Sequence, residues 1–446
     1  MSHPVTVGFH TLGCRLNQVD SQEMAARMEA RGFRAVAADA AAQIHVVNTC
    51  TVTGRADLSD RQLIRRVRRE HPDALVVVTG CYAQTNPDAV ARLGGVHLVI
   101  GNGEKPRLPE LLAGLLAQRA DAGDPPPVHV APIAEARMAA FAPFSRAACR
   151  TRAFVKVQDG CQHRCAFCIV PAARGASRSQ EPEAVLEQAR RLVESGHGEI
   201  TLTGVDLGHY GLDLVPRTSL AALLQRLAGI PGLRWLRLSS VLPAYFTPEL
   251  IEAVTGLAVM APHLHVPLQS GSDRILRLMR RPYTVRMYRT LVERLLAAIP
   301  DLALGSDVIV GHPGESDADF TATMELVRAV PFAYLHVFSY SDRRGTEATR
   351  LPGRVDAAVA RERSAALRRL ASDKGLEFRR RLLGRTREVL VLEAPDRATG
   401  LRAGLTADYV EVLFRGPAGL GRRFVPVQVT ECDRERTLGR LQAAPA

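Results

Sequence analysis

No run of about 18 uncharged apolar residues occurs in this 446-residue chain, so a membrane-spanning helix is not expected. The opening stretch, MSHPVTVGFHTLGC, lacks a basic segment followed by an apolar one and a small-residue cleavage site. It goes straight into a strand-like run, and a cytoplasmic location is the expectation. Cysteine is scarce: eight in a chain of this length exclude a disulfide scaffold, and a reducing cytosol would keep them as thiols or metal ligands. No internal repeat or long low-complexity tract stands out. Acidic residues are outnumbered, leaving a formal charge of +12 and a pI near 9.7. The excess is mainly arginine, whose planar fork suits bidentate phosphate contacts, so a polyanionic partner such as RNA is favoured.

What is present organises into segments, because 446 residues exceed what one hydrophobic core usually serves. From 4 to 118, short β-rich runs (VTVGFHTL, IHVVNT, LVVVTG, HLVIG) alternate with helical stretches such as 20–31 and 55–70, which predicts a parallel sheet flanked by helices. Asp20 followed by Glu23 has the form of a helix-capping pair and places a helix start just after the loop at Cys14. Cys14, Cys50 and Cys81 each follow the carboxyl end of an expected strand. In an open parallel sheet such loops share one edge, so the three would meet in space. The alternative is three ordinary buried cysteines. Residues 119–150, with a triple proline, read as a linker, and Cys149 within it as incidental.

From 151 to about 355, AFVKVQ, EITLTG, WLRLSS, HLHVPL, LGSDVIV and LHVFSY suggest six strands of an incomplete β/α barrel, whose chemistry belongs at the strand carboxyl ends. An arginine-rich helical connector follows over 356–380, and then short strands punctuated by glycine that read as a small all-β barrel. The expected class is α/β: a parallel-sheet domain at 4–118, a partial (β/α)6 barrel at 151–378 and an OB-like barrel at 379–442.

The loop DGCQHRCAFCIVP, 159–171, follows the first barrel strand and holds Cys161, Cys165 and Cys168. A structural zinc site closes its tetrahedron with four ligands. His163, wedged between the first two cysteines, is poorly placed to share their metal and reads as a surface side chain. Three thiolates at CxxxCxxC spacing instead suit a 4Fe-4S cluster with one exchangeable iron.

That motif, with Phe167 before its last cysteine, resembles the radical S-adenosylmethionine (SAM) superfamily. Over the whole chain, HTLGCRLNQVDSQEM, VNTCTVTGRADLSDRQLIRR, TGCYAQTNP, KVQDGCQHRCAFCIVPAARGASRS, LTGVDLGHYG, PLQSGSDRILRLM and DVIVGHPGE resemble the methylthiotransferases, which end in a TRAM-type barrel. The resemblance implies two 4Fe-4S clusters, one on Cys161, Cys165 and Cys168 and an auxiliary one on Cys14, Cys50 and Cys81. It also implies two uses of SAM, as methyl donor and as source of a 5′-deoxyadenosyl radical. Thr203 and Gly204 match a backbone segment that the superfamily sets against the methionine amino group. Ser239 and Gln269, at later strand ends, are further candidates for the SAM pocket. The cluster ligands aside, no catalytic residue is assigned.

Family members act on adenosine 37 of tRNA or on an aspartate of a ribosomal protein. NTCTVTGRADLSDRQLIRR and GCYAQ look most like the threonylcarbamoyladenosine (MtaB-type) branch rather than the isopentenyladenosine branch. Arg61, Arg65 and Arg68 fall at near-helical spacing and would offer a basic face to an anticodon stem-loop; a solvated arginine face is the alternative. From 356 to 446 there are 18 Lys or Arg against 12 Asp or Glu, and few aromatics, which favours phosphate contacts over base stacking. A reductase or flavodoxin-like electron donor and a sulfur donor are implied as partners. Ala172, where many relatives carry tyrosine, and Leu242, where an acidic residue is common, depart from the pattern. The competing functions are a ribosomal-protein methylthiotransferase and a non-catalytic iron-sulfur RNA-binding protein.

Overall fold

A computed structural model describes residues 4–118, 125–142 and 151–442. In the first domain six parallel strands lie in the order Arg34–Val36, Thr6–Thr11, Ile44–Thr49, Leu75–Gly80, Leu98–Ile100, Val128–His129. Ile44–Thr49 is buried along its whole length, as a central strand covered on both faces must be. Alternation divides its side chains between two cores. Val47, Val76 and Val78 pack with Ile64 and Val67, and Ile44, Val46 and Val77 pack with Met24, Met28, Leu108 and Leu112.

Two findings differ from the sequence reading here. The last strand, Val128–His129, comes from the stretch read as a linker and pairs with Leu98–Ile100; Cys149 lies outside the described residues. The first helix runs Arg15–Glu29 with Cys14 at its N-cap, so Asp20 sits inside the helix and caps nothing. Its carboxylate is buried and takes hydrogen bonds from Lys105 Nζ at 2.7 Å, Lys156 Nζ at 2.6 Å and Arg174 Nη2 at 2.9 Å.

The second domain forms six parallel strands in two three-stranded sheets: Ala153–Lys156, Glu199–Thr203 and Trp235–Leu238, then His263–His265, Ala303–Val310 and Tyr334–Ser339. A parallel bridge from Leu236 to Met260 joins the sheets into an incomplete barrel. Its helices pack outside around a core that includes Leu202, Leu224, Leu264 and Leu304. Helix Ala357–Arg380 leads to a closed five-stranded barrel of Thr386–Val391, Arg402–Thr406, Glu411–Arg415, Phe424–Cys432 and Thr437–Leu441. Phe378 at the end of that helix packs into the small barrel's core beside Ala303, which joins the second and third domains through apolar contact.

Candidate metal centres and an adjoining cavity

Three strand ends deliver the first group of thiols. Cys50 and Cys81 directly follow strands Ile44–Thr49 and Leu75–Gly80, and Cys14 caps helix Arg15–Glu29 after the strand Thr6–Thr11. Gly13 takes a φ of 95°, and a Cβ there would stand 2.6 Å from Cys50 Cβ; only glycine lets these two loops come together. Asn102 Nδ2 approaches Cys81 Sγ at 3.7 Å.

The second group lies in the loop after the first barrel strand. Backbone hydrogen bonds from Cys161 to the Gly175 carbonyl and from Ala166 to the Met279 carbonyl pin the loop. The Cys161 thiol points at Asp206 Oδ2, 3.6 Å away, and Cys165 Sγ accepts from Arg281 Nη1 at 3.3 Å. His163 is not a free surface side chain: its ring meets the Tyr245 hydroxyl, and Asp206 and His209 complete the network. That engagement turns it away from any role as a fourth ligand.

Burial pushes the Cys50 thiol up to about 12 and the Cys168 thiol up to about 11; Cys161 rises for the same reason, with Asp206 adding to it. Buried thiols of this kind are inert until a metal deprotonates them. Among the described residues neither trio has all three sulfurs within 4.8 Å of one another. One tetrahedral zinc ion would need them about 3.8 Å apart. Three thiols per trio with no fourth ligand are the donor set that an iron-sulfur cluster takes, and this lower bound argues against one zinc ion held by either trio as it stands.

Cys14, Cys50 and Cys81 line a cavity of about 840 Å³ together with Thr203, Gly204 and Ser239. Val170 and Arg174, from the helix that follows the three-cysteine loop, line it too. Three of the four SAM-pocket candidates therefore share one space with the N-terminal thiols, whereas Gln269 lies outside that lining. Thr203 Oγ1 and Gln269 Oε1 are buried without a hydrogen-bond partner among the described residues, an open valence that a bound cofactor would fill. Gly204 N donates to Ser239 Oγ at 3.4 Å. A Cβ on Gly204 would crowd Gln158 Oε1 at 2.8 Å, so close packing explains this glycine.

The three arginines of helix Gly54–Glu70 lie outside the cavity. Arg61 donates to the Tyr82 hydroxyl at 3.2 Å and Arg68 to the Gly94 carbonyl at 3.1 Å, while Arg65 is exposed. Sequence reasoning missed a further part of the lining, where His263, His265, Asp307, Tyr334, His336 and Tyr409 come together. These residues belong to three barrel strands and a loop of the small barrel, and no spacing in the sequence marks them as neighbours.

Residues 6–101 match the family described as Uncharacterized protein family UPF0004, and residues 155–327 match the Radical SAM superfamily. The threonylcarbamoyladenosine tRNA methylthiotransferase MtaB of Bacillus subtilis (strain 168) is 36% identical over 427 residues, covering 95% of this chain and 93% of that one. The chain belongs to the radical SAM methylthiotransferase family. The MtaB of Aquifex aeolicus (strain VF5) is 37% identical over 93% of this chain and 98% of its own. A tRNA-2-methylthio-N(6)-dimethylallyladenosine synthase of Moorella thermoacetica is 35% identical over 95% of both. Among solved structures, the radical SAM methyltransferase TsrM of Kitasatospora setae shares the fold, with a TM-score of 0.56 at 18% identity over 75% of this chain and 72% of that one. As a radical SAM methylthiotransferase the protein uses SAM and a 4Fe-4S cluster. No helix among the described residues is long and apolar enough to cross a membrane.

Proposed function

We propose that this enzyme adds a methylthio group to C2 of N6-threonylcarbamoyladenosine at position 37 of tRNA, in the cytoplasm. The observation that carries the reading is the near full-length match to relatives named for that reaction, at 36% and 37% identity. In this reading Cys161, Cys165 and Cys168 hold the radical SAM cluster, and Cys14, Cys50 and Cys81 hold a second 4Fe-4S cluster. When bound, SAM and its cluster supply a methyl group in one use and a hydrogen-abstracting radical in the other. Thr203, Gly204 and Ser239 line the same cavity as the N-terminal thiols, so a cofactor seated on them would face that second site. Gln269 holds a φ of 67°, a strained conformation for a non-glycine residue, and its unpartnered Oε1 suits a supporting role at the cofactor. Arg61, Arg65 and Arg68 would meet the RNA backbone from outside. A reductase or flavodoxin-like electron donor and a sulfur donor complete the system.

The dimethylallyladenosine relative, at 35% identity, supports a second reading on a different N6 substituent. Mass spectrometry of tRNA nucleosides from cells with and without the gene separates the two. Loss of the 2-methylthio derivative of threonylcarbamoyladenosine is expected, and an unchanged level refutes the substrate assignment. In anaerobic reconstitution, 5′-deoxyadenosine forms under a strong reductant, and Cys165→Ala abolishes it.

A further inference from the structure

Another part of the cavity lining is polar and stacked. His263 lies flat on Tyr409 with ring centroids 4.2 Å apart, and parallel to Tyr334 at 5.8 Å. His265 and His336 stack at 5.4 Å, and both reach Asp307 Oδ1 at 3.1 Å. The Tyr334 hydroxyl lies 2.9 Å from His263 Nε2 and 3.1 Å from His265 Nδ1. Burial works against charge on Asp307, but the adjacent His265 ring and the hydrogen bond from His336 hold its carboxyl well below the ordinary range. His336 thus gives Nδ1 to Asp307 and keeps Nε2 for a ligand, with 55% of its side chain exposed.

Three arginines surround the Tyr409 ring, at 5.3 to 5.5 Å from its centroid, but they are not equivalent. Arg237 pairs with Glu199 at 3.1 Å and donates to the carbonyls of Ala407 and Thr406. Arg152 reaches the same Glu199 at 3.9 Å. Arg15 touches only the Tyr409 hydroxyl and the faces of Phe154 and Tyr409, with no carboxylate in ion-pair reach among the described residues. Of the three, Arg15 alone lines the cavity. Its guanidinium offers five donors, and it opens helix Arg15–Glu29, whose N-terminus adds positive potential. An anion is the group that this combination accepts best.

We propose that Arg15, with the His336–Asp307–His265 group across Tyr334 and Tyr409, forms the subsite for the carboxylate- and hydroxyl-bearing substituent on N6 of the target adenine. The inference rests on the proposed function and adds how this chain selects its substrate. The anion meets Arg15, and the hydroxyl meets His336 Nε2. A purely apolar N6 group would leave both unpaired inside the cavity, which disfavours it. An RNA backbone phosphate has the same anionic chemistry, so the test must tell the two sources apart.

The test is equilibrium binding of the reconstituted full-length enzyme to labelled anticodon stem-loops carrying threonylcarbamoyladenosine, dimethylallyladenosine or plain adenosine at position 37. The wild type is expected to bind the threonylcarbamoyl RNA at least fivefold more tightly than the other two. Arg15→Ala and, separately, the exposed-side variant His336→Ala should erase that preference by weakening the threonylcarbamoyl RNA alone. Arg15→Lys should keep part of it. Equal weakening on all three RNAs would assign Arg15 to a phosphate and overturn the subsite. So would an undiminished preference in both alanine variants, or no preference in the wild type. The nucleoside analysis decides the reaction itself, so a failed subsite and a failed substrate assignment remain distinguishable.

Discussion

At the scale of single residues, the protonation state of the thiols governs how the metal-free chain behaves. Cys50, pushed up to about 12, and Cys168, pushed up to about 11, are neutral at physiological pH, whereas unfolded thiols titrate near about 8.5. Their folded values are raised, so the stability they contribute is complete below about pH 8.5 and is lost as pH rises toward the folded values. Metal-free protein should therefore melt at progressively lower temperature above about pH 8.5, by up to about 1.4 kcal/mol per pH unit for each such thiol. Ligated thiolates have no proton left to lose, so metal-loaded protein should show no such slope over the same range. Scanning calorimetry of both forms from pH 7 to 10 checks this; parallel slopes would mean that these thiols are not ligands. Iron uptake should also strengthen with pH, because each ligand must release a proton first.

At the scale of elements, glycine decides whether the thiols can meet. Gly13 sits against Cys50 at the turn between strand Thr6–Thr11 and helix Arg15–Glu29, so Gly13→Ala forces Cys14 and Cys50 apart without touching the loop at Cys161. On the proposed two-cluster reading, iron after reconstitution is expected to fall from about eight to about four atoms per chain, with 5′-deoxyadenosine formation retained. Unchanged iron would show that Cys14 and Cys50 do not share a cluster. Much of this level is legible in the sequence. IHVVNT and LVVVTG are uninterrupted runs rich in valine, and a cysteine directly follows each, so strand and strand-end loop can be read together. Arg34–Val36 and Val128–His129 are too short to carry a pattern and exist only because a longer neighbour offers an edge to pair with. The His265, Asp307 and His336 cluster could not be read, since it depends on the register of three parallel strands that bring distant residues side by side.

At the scale of the whole molecule, the domains around the cavity are held in part by buried charge. Asp20 shows why the sequence misled: its spacing to Glu23 mimics a cap, yet it lies on the inner face of a helix packed against the second domain. The chain has only three lysines, and two of them, Lys105 from the first domain and Lys156 from the second, converge on this one carboxylate with Arg174. Burial alone would raise the Asp20 carboxyl, but these cations hold it well below the ordinary range. With a lowered folded value, its contribution is present above the unfolded carboxylate value of about 3.9 and is lost as pH falls below it. Arg174 also hydrogen-bonds Asn17 Oδ1 at 2.7 Å and Asp159, so the helix bearing Cys14 and the segment following Cys168 are tied through one guanidinium. Asp20→Asn strips Lys105 of its carboxylate partner among the described residues and leaves Lys156 and Arg174 with Asp159 and Glu23 alone, and should cost about 3–5 kcal/mol. Denaturant unfolding of the metal-free protein measures it. Adding Lys105→Met removes one of those cations and should restore part of the loss, because the penalty comes from uncompensated charge rather than from missing packing. If the double variant is no more stable than Asp20→Asn alone, the network joins the domains by shape and not by charge.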